Sequence, residues 1–325
     1  MKKCSFSLVL VLFIACLLAG PALAQETPDM KDAMKCFYEK DFAKAKELFR
    51  KVISQDPQNS LALLYLLDCY AQDRNLQPIL NELEEQALAN KNSAPLMCHL
   101  GMGYFASALL KKGENFDDAL TQFQEALKVD ENISMGYLGM GIVYYKKRMI
   151  PRSRSYFMKA SKLNANDVVA LERLGEIFLL DDKNYSTAQT LFENIIQLYP
   201  SYPDGYFYYA SASKALGEFD KAIENYEKAG ALDPLGLTKG YYAAERIGDI
   251  YYHGLKNYPK AVEYYEKALR VGPENSYAKT MLTKAKAPPK DEEPPKKDDK
   301  TKLDDLKEKI KPKKEDKKVE SQIKL

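Results

Sequence analysis

Histidine is scarce in this 325-residue chain: His99 and His253 are the only two. Neither has a sequence neighbour that would make it a base for a nucleophile. There is no glycine-rich phosphate loop and no dinucleotide fingerprint, so nucleotide chemistry has no signature here. Glu172 and Glu176, one helical turn apart, come nearest to paired catalytic carboxylates, and they read better as the wall of a solvated groove. Paired-cysteine spacing is missing too, which argues against a zinc site. Beyond residue 24 only Cys36, Cys69 and Cys98 remain. They read as buried thiols acting as small apolar groups, with a Cys36–Cys69 disulfide as the alternative. The sequence therefore predicts no catalytic residue, no cofactor and no metal. A strong charge of either sign is also lacking: the formal net charge is +2, and Lys2 and Lys3 would account for both charges. Nucleic acid is not an expected partner.

A long apolar run is missing as well. The stretch from Leu8 to Leu18 is too short for a comfortable transmembrane helix. With Lys2 and Lys3 before it, Pro21 breaking it and Ala22-Leu23-Ala24 offering small residues for cleavage, residues 1–24 read as a secretory signal peptide. The alternatives are an uncleaved anchor or lipidation at Cys16, whose preceding Phe13-Ile14-Ala15 suits a lipoprotein site poorly. The expected location is periplasmic or secreted, with no membrane insertion once the signal is removed.

What the chain does have is a spacing that recurs over residues 26–275. A small residue is followed twelve positions later by alanine, four later by an aromatic, three later by a small or apolar residue, and five later by a turn. Ala210, Ala222, Tyr226, Ala229 and Pro234 form the clearest copy. Gly248, Ala261, Tyr265, Ala268 and Pro273 form another, with one extra residue between helices. Further copies run through Gly141, Ser153, Phe157, Ala160 and Ala165, and through Gly175, Ala188, Phe192, Ile195 and Pro200. Gly101, Ala119, Phe123, Ala126 and Glu131 fit with about six extra residues, and Ala33, Ala45, Phe49, Val52 and Pro57 open the series. The small residue lets a second helix approach, and the aromatic one turn beyond the alanine fills the gap to the next unit. Proline ends the second helix. One such pair cannot bury its apolar face alone, so units must stack.

In these positions the chain resembles the tetratricopeptide repeat (TPR) family over most of residues 26–287. The resemblance implies an all-α fold, a right-handed α-solenoid of stacked antiparallel helix pairs. The expected division is a solenoid over 25–287 with repeats at 26–59, 60–93 (degenerate), 94–133, 134–167, 168–202, 203–240 and 241–275, then an end helix at 276–287. Segment 60–93 departs from the pattern because Asn75 to Asn92 lacks the alanine–aromatic pair and Pro78 interrupts it. Residues 288–325 carry mixed charge, five prolines and few large apolar groups, and read as a disordered tail.

The resemblance also implies that the first helix of each pair lines a concave binding face. Carried over position by position, that face presents Met34, Phe37, Tyr65, Met102, Phe105, Leu138, Ile142 and Tyr145 at an apolar front. Glu172, Arg173, Glu176, Phe207, Tyr208, Lys214, Tyr242, Arg246, Asp249 and Tyr252 follow toward a mixed aromatic and charged back. Of the positions by which TPR co-chaperones grip an acidic chaperone tail, only Arg173 matches. The functional expectation is a non-enzymatic scaffold or adaptor of the cell envelope that binds a peptide or helical segment of another protein. The alternative is a structural or assembly component acting through its convex face or its charged tail.

Overall fold

The computed structural model describes residues 26–113 and 115–288. The expected signal peptide lies outside the described residues, as does all of the expected tail except Pro288. Among the described residues there are fifteen α-helices and no strand. Seven antiparallel pairs stack in chain order: α1 (Pro28–Tyr38) with α2 (Phe42–Gln55), α3 (Ser60–Gln72) with α4 (Gln77–Ala89), α5 (Ala94–Leu110) with α6 (Asp117–Val129), α7 (Ser134–Lys146) with α8 (Ile150–Leu163), α9 (Val168–Glu176) with α10 (Tyr185–Leu198), α11 (Pro203–Ala215) with α12 (Phe219–Leu232), and α13 (Ala243–Asp249) with α14 (Tyr258–Val271). A last helix, α15 (Ser276–Lys286), covers α14 with Ala278, Met281 and Ala285. The all-helical solenoid expected from the spacing is the observed architecture.

The small-to-aromatic spacing becomes a contact in each well-formed pair. Phe123 of α6 is fully buried against Gly101 of its own repeat and Gly139 of the next. A methyl group on Gly101 would stand 2.7 Å from the Phe123 ring, and one on Gly141 would stand 2.5 Å from Phe157. Each ring so enclosed contributes roughly 1.5–3 kcal/mol relative to exposure.

Where a repeat carries an extra residue, the first helix absorbs it. The interval from Gly175 to Ala188, and from Gly248 to Ala261, is one longer than in the clearest copy. In both places the helix ends in a single π turn, Ile177–Asp181 and Ile250–Gly254, the usual way a helix accommodates an inserted residue. The turn inside each pair has its own signature. Lys40, Arg74, Lys112, Arg148, Lys183 and Lys256 all adopt left-handed backbone, with φ between 53° and 64°, and Gly217 does so at the sixth repeat with φ 79°.

The second repeat is helical throughout, and Pro78 begins α4 instead of interrupting it, because proline in a first turn removes no helical hydrogen bond. Its departure lies elsewhere. Leu67 and Ile79 occupy the two positions that are small in the other repeats, so α4 cannot close on α3 and leans on α5. There Leu80 and Leu83 lie 3.0 and 3.1 Å from where a Gly103 side chain would be. Arg50 of α2 holds the other side of α4 through a two-pronged pair with Glu82, at 2.6 and 2.8 Å, and donates to the Tyr70 hydroxyl at 2.8 Å.

The superhelix winds tightly enough for its first repeats to meet later ones. The Glu26 amide donates to the Leu198 carbonyl at 2.9 Å, and Ser201 donates its amide at 3.3 Å and its hydroxyl to the Glu26 carboxylate. Ser60 donates to Asp167 Oδ1 at 2.7 Å. Asn59 reaches the Tyr199 hydroxyl at 3.4 Å. Ser134 donates to Gln58 Oε1 at 3.2 Å. The loops that follow the second helices thus converge about the inner axis.

Candidate protein-interaction surface

Closure of the superhelix decides what the concave face can offer. At the front, Met34, Phe37, Tyr65, Met102, Phe105 and Leu138 are all buried. Phe37 sets its edge against Tyr38, Phe42 and Tyr65, and Tyr65 stacks on Phe49 at 5.5 Å and meets Tyr202 of the fifth repeat at 6.4 Å. The Met34 sulfur accepts from Ser201 at 3.7 Å. Phe105 is covered by Phe116 at 5.2 Å. The expectation that these six side chains face a partner is corrected: they are buried within their own chain, and the apolar front is core.

Further back, Glu172, Glu176, Phe207, Tyr208 and Asp249 are also buried, a second correction. Their burial has a specific chemistry. Arg173 Nη2 lies 3.2 Å from Glu172, and its Nη1 pairs with Glu176. Tyr202 and Tyr208 donate their hydroxyls to the same two carboxylates. The arrangement is repeated two units on: Arg246 lies 3.7 Å from Glu245 and 3.4 Å from Asp249. There Tyr265 and Tyr277 donate to Asp249 at 3.0 and 2.8 Å, and Asn275 donates to Glu245 at 2.7 Å. Both sets immediately precede a π turn. Burial raises the Glu172 carboxyl to about 7 even with Arg173 beside it, and raises Asp204 to about 6. Lys214 is pulled below its ordinary value by burial, although Asp249 opposes that.

Seven of the predicted positions keep accessible surface: Ile142, Tyr145, Arg173, Lys214, Tyr242, Arg246 and Tyr252. Tyr242 is 40% exposed and sits between two clefts. One, of about 440 Å³, is lined by Tyr241, Tyr242, Glu245, Arg246, Asn275 and Tyr277. The other, of about 340 Å³, is lined by Asp204, Leu237, Thr238, Lys239, Tyr241 and Tyr242. The two clefts among these positions therefore lie at the C-terminal end of the concave face. Reading by repeat position missed Tyr241, Lys239 and Tyr277, which lie in the linker before α13 or in the end helix. The available signal was the aromatic pair Tyr241-Tyr242 directly after the extra residues within Leu235–Gly240.

The outer face has features of its own. A cleft of about 290 Å³ follows from the displaced α4, with Arg50, Ile53, Leu63, Leu66, Ile79 and Leu83 around it. His99 lies at its base, buried, with Nε2 2.7 Å from the Pro57 carbonyl. Burial lowers its pKa. On the other side of α4, Ala87, Leu88, Met97, Leu100 and Tyr104 line a cleft of about 450 Å³, with Leu88 68% exposed. Cys36, Cys69 and Cys98 are free and buried, and burial pushes the Cys69 thiol up to about 12. Among the described residues no helix is long and apolar enough to cross a membrane.

Comparison with known proteins agrees with this geometry. The family profile described as "Tetratricopeptide repeat" matches residues 37–95, 179–236 and 214–276. The TPR repeat-containing protein MJ1428 of Methanocaldococcus jannaschii is 23% identical over 225 residues, which is 65% of this chain. The chain spans only 37% of that relative's length. Among solved structures, YrrB aligns with a TM-score of 0.47 at 20% identity, covering 63% of this chain and 97% of that one. The human IFIT1 dimer aligns with a TM-score of 0.51 at 17% identity, covering 76% and 59% respectively. The stacked pairs, the glycine–aromatic contacts and the profile matches agree: the chain belongs to the tetratricopeptide repeat family.

Proposed function

We propose that this protein is an interaction scaffold of the cell envelope that holds a segment of another protein at the C-terminal end of its concave face, around Tyr242 and Arg246. Proteins of this family generally mediate protein–protein interactions, and their fold is a non-catalytic scaffold. The observation that carries the reading is the contrast along the face. Its front is filled by the chain itself, while Tyr242 and Arg246 flank an open cleft of about 440 Å³. Tyrosine and arginine are the residue types that anchor interfaces. The envelope location rests on the basic start, short apolar run and small residues of segment 1–24.

The test is capture of partners from an envelope extract by the wild-type chain and by Tyr242→Ala/Arg246→Lys, which removes an exposed ring and the guanidinium fork but keeps a positive charge beside the buried Glu245 and Asp249. A protein retained by the first and lost by the second supports the groove. Identical captures refute it. A second reading, an assembly component acting through its outer face, is favoured by Leu88 standing exposed beside the 450 Å³ cleft. Loss of capture on Leu88→Glu, with Tyr242→Ala/Arg246→Lys unaffected, selects that reading.

A further inference from the structure

The turns inside the third, fourth and fifth repeats share a composition that neither the core nor the concave face uses. Leu110, Met149 and Leu180 are exposed there by 39, 37 and 59%. Each lies within three residues of a left-handed basic residue, Lys112, Arg148 or Lys183 respectively. Lys111, Lys146 and Lys147 add to the charge.

The three turns are neighbours in space. Lys147 in the fourth repeat's turn lies 4.0 Å from Asp117 at the start of α6. Arg154 of α8 pairs with Asp182 in the fifth repeat's turn at 2.5 Å. These two pairs also neutralise two of the acids on this edge. Among the described residues the others are Asp118 and Asp181, and the sequence adds Glu114. With Arg152 and Arg154 included, these segments hold eight cations and five acids. None of the clefts described above is lined by these residues. On the opposite edge Val129, Leu163 and Val271 are comparably exposed, with one adjoining cation each, Lys128, Lys162 and Arg270, and with Asp130, Glu131 and Glu274 nearby to balance them.

Single aliphatic side chains protruding from successive turns do not form a groove for a peptide. They suit a broad, soft surface that all three can enter at once, and the surrounding cations suit one that is negatively charged. We propose that this edge docks on an anionic lipid surface, with Leu110, Met149 and Leu180 in the headgroup layer and Lys112, Arg148 and Lys183 against lipid phosphates. The backbone is consistent with a use for the cations. Left-handed backbone favours glycine over a residue with a side chain, yet six of the seven turns keep lysine or arginine.

That strain also supplies a clean test. Lys112→Gly/Arg148→Gly/Lys183→Gly removes three charges at positions where glycine suits the backbone, so the variant folds. The full chain is sedimented with phosphatidylcholine vesicles and with vesicles of phosphatidylcholine plus phosphatidylglycerol. The readout is the difference between the two, which cancels any contribution of the apolar run at 8–18. The wild type should favour the anionic vesicles by about tenfold at low salt, with the preference falling as salt is added. The triple glycine variant should lose it. Leu110→Ser/Met149→Ser/Leu180→Ser should weaken it, and Val129→Ser/Leu163→Ser should leave it unchanged. Equal binding to the two vesicle types, or a preference that survives the glycine variant, overturns the proposal. Binding to soluble polyglutamate that matches the vesicles and ignores the serine variant would assign the edge to an acidic protein instead.

Discussion

Ser60 and Asp167, 107 residues apart in sequence, are joined by a 2.7 Å hydrogen bond in which the serine hydroxyl donates to Oδ1. The same oxygen caps α9 by accepting from the Val169 and Ala170 amides at 3.1 and 3.2 Å. One carboxylate thus ends a helix and ties the second repeat to the fifth. Asp167→Ala should cost about 1–2 kcal/mol for the lost cap, and Ser60→Ala about 1 kcal/mol. Because both remove one shared bond, the double variant should cost less than the sum by several tenths of a kcal/mol or more. Denaturant midpoints of the four proteins measure this, and strict additivity would show that the cross-repeat bond contributes nothing.

Stability should fall as pH rises from mildly acidic to neutral. Glu172 and Asp204 are raised to about 7 and about 6, in each case mainly by burial. Burial also raises Glu26 and Asp167. A carboxyl raised in the fold binds more protons folded than unfolded, so the folded state is favoured below the unfolded value near 4 and loses that advantage as pH passes the folded value. The window is therefore about pH 4 to 7 for these groups. Urea midpoints across that range should decline, and Glu172→Gln should flatten the slope between pH 5 and 7. A midpoint that climbs across the window in the wild type contradicts the assignment.

Arg148→Gly should raise the thermal midpoint, by an amount equivalent to roughly 0.5–1 kcal/mol, because relief at φ 59° exceeds the extra chain entropy of glycine. Gly217→Ala should do the reverse at φ 79°, costing about 1 kcal/mol. Differential scanning calorimetry of both variants checks the pair, and shifts of the same sign would show that the turn conformation is not what sets them.

Gly139→Ala should be among the more damaging single changes, since the added methyl would collide with the buried Phe123 ring. Overpacking of this kind costs about 1–3 kcal/mol. Phe123→Leu in the same chain should recover part of the loss, a result that distinguishes a local clash from general helix weakening. Chemical unfolding of the single and double variants reads it out.

The stacked fold was legible because its contacts are local in sequence. The spacing from Gly101 to Phe123, or from Gly248 to Tyr265, records a contact within one helix pair. The accessible site was only partly legible. Met34, Phe37 and Tyr65 occupy positions that line an open groove when repeats curve gently. Here the accumulated rotation over four repeats brings Tyr202 onto Tyr65 and Ser201 onto Glu26. That winding depends on small angles between successive pairs, and no single residue spells it out. The residues that close the turn, among them Asn59, Ser60, Asp167 and Tyr199, lie at helix ends outside the repeated spacing. Tyr242 and Arg246 were legible because they lie beyond the overlap, where position alone decides exposure.

The closure also changes how the molecule folds and fails. An open array of repeats unfolds piecemeal from its ends, because each unit touches only its neighbours. Here the first unit is fastened to the fifth through Glu26, Leu198 and Ser201, so the N-terminal pair is not a frayed end. Its docking must await the arrival of a segment some 170 residues downstream, which raises the share of distant contacts and slows folding accordingly. Removing that pair would strip cover from Ser201 and unfasten the middle of the chain, making the terminus a keystone of the whole rather than one more link.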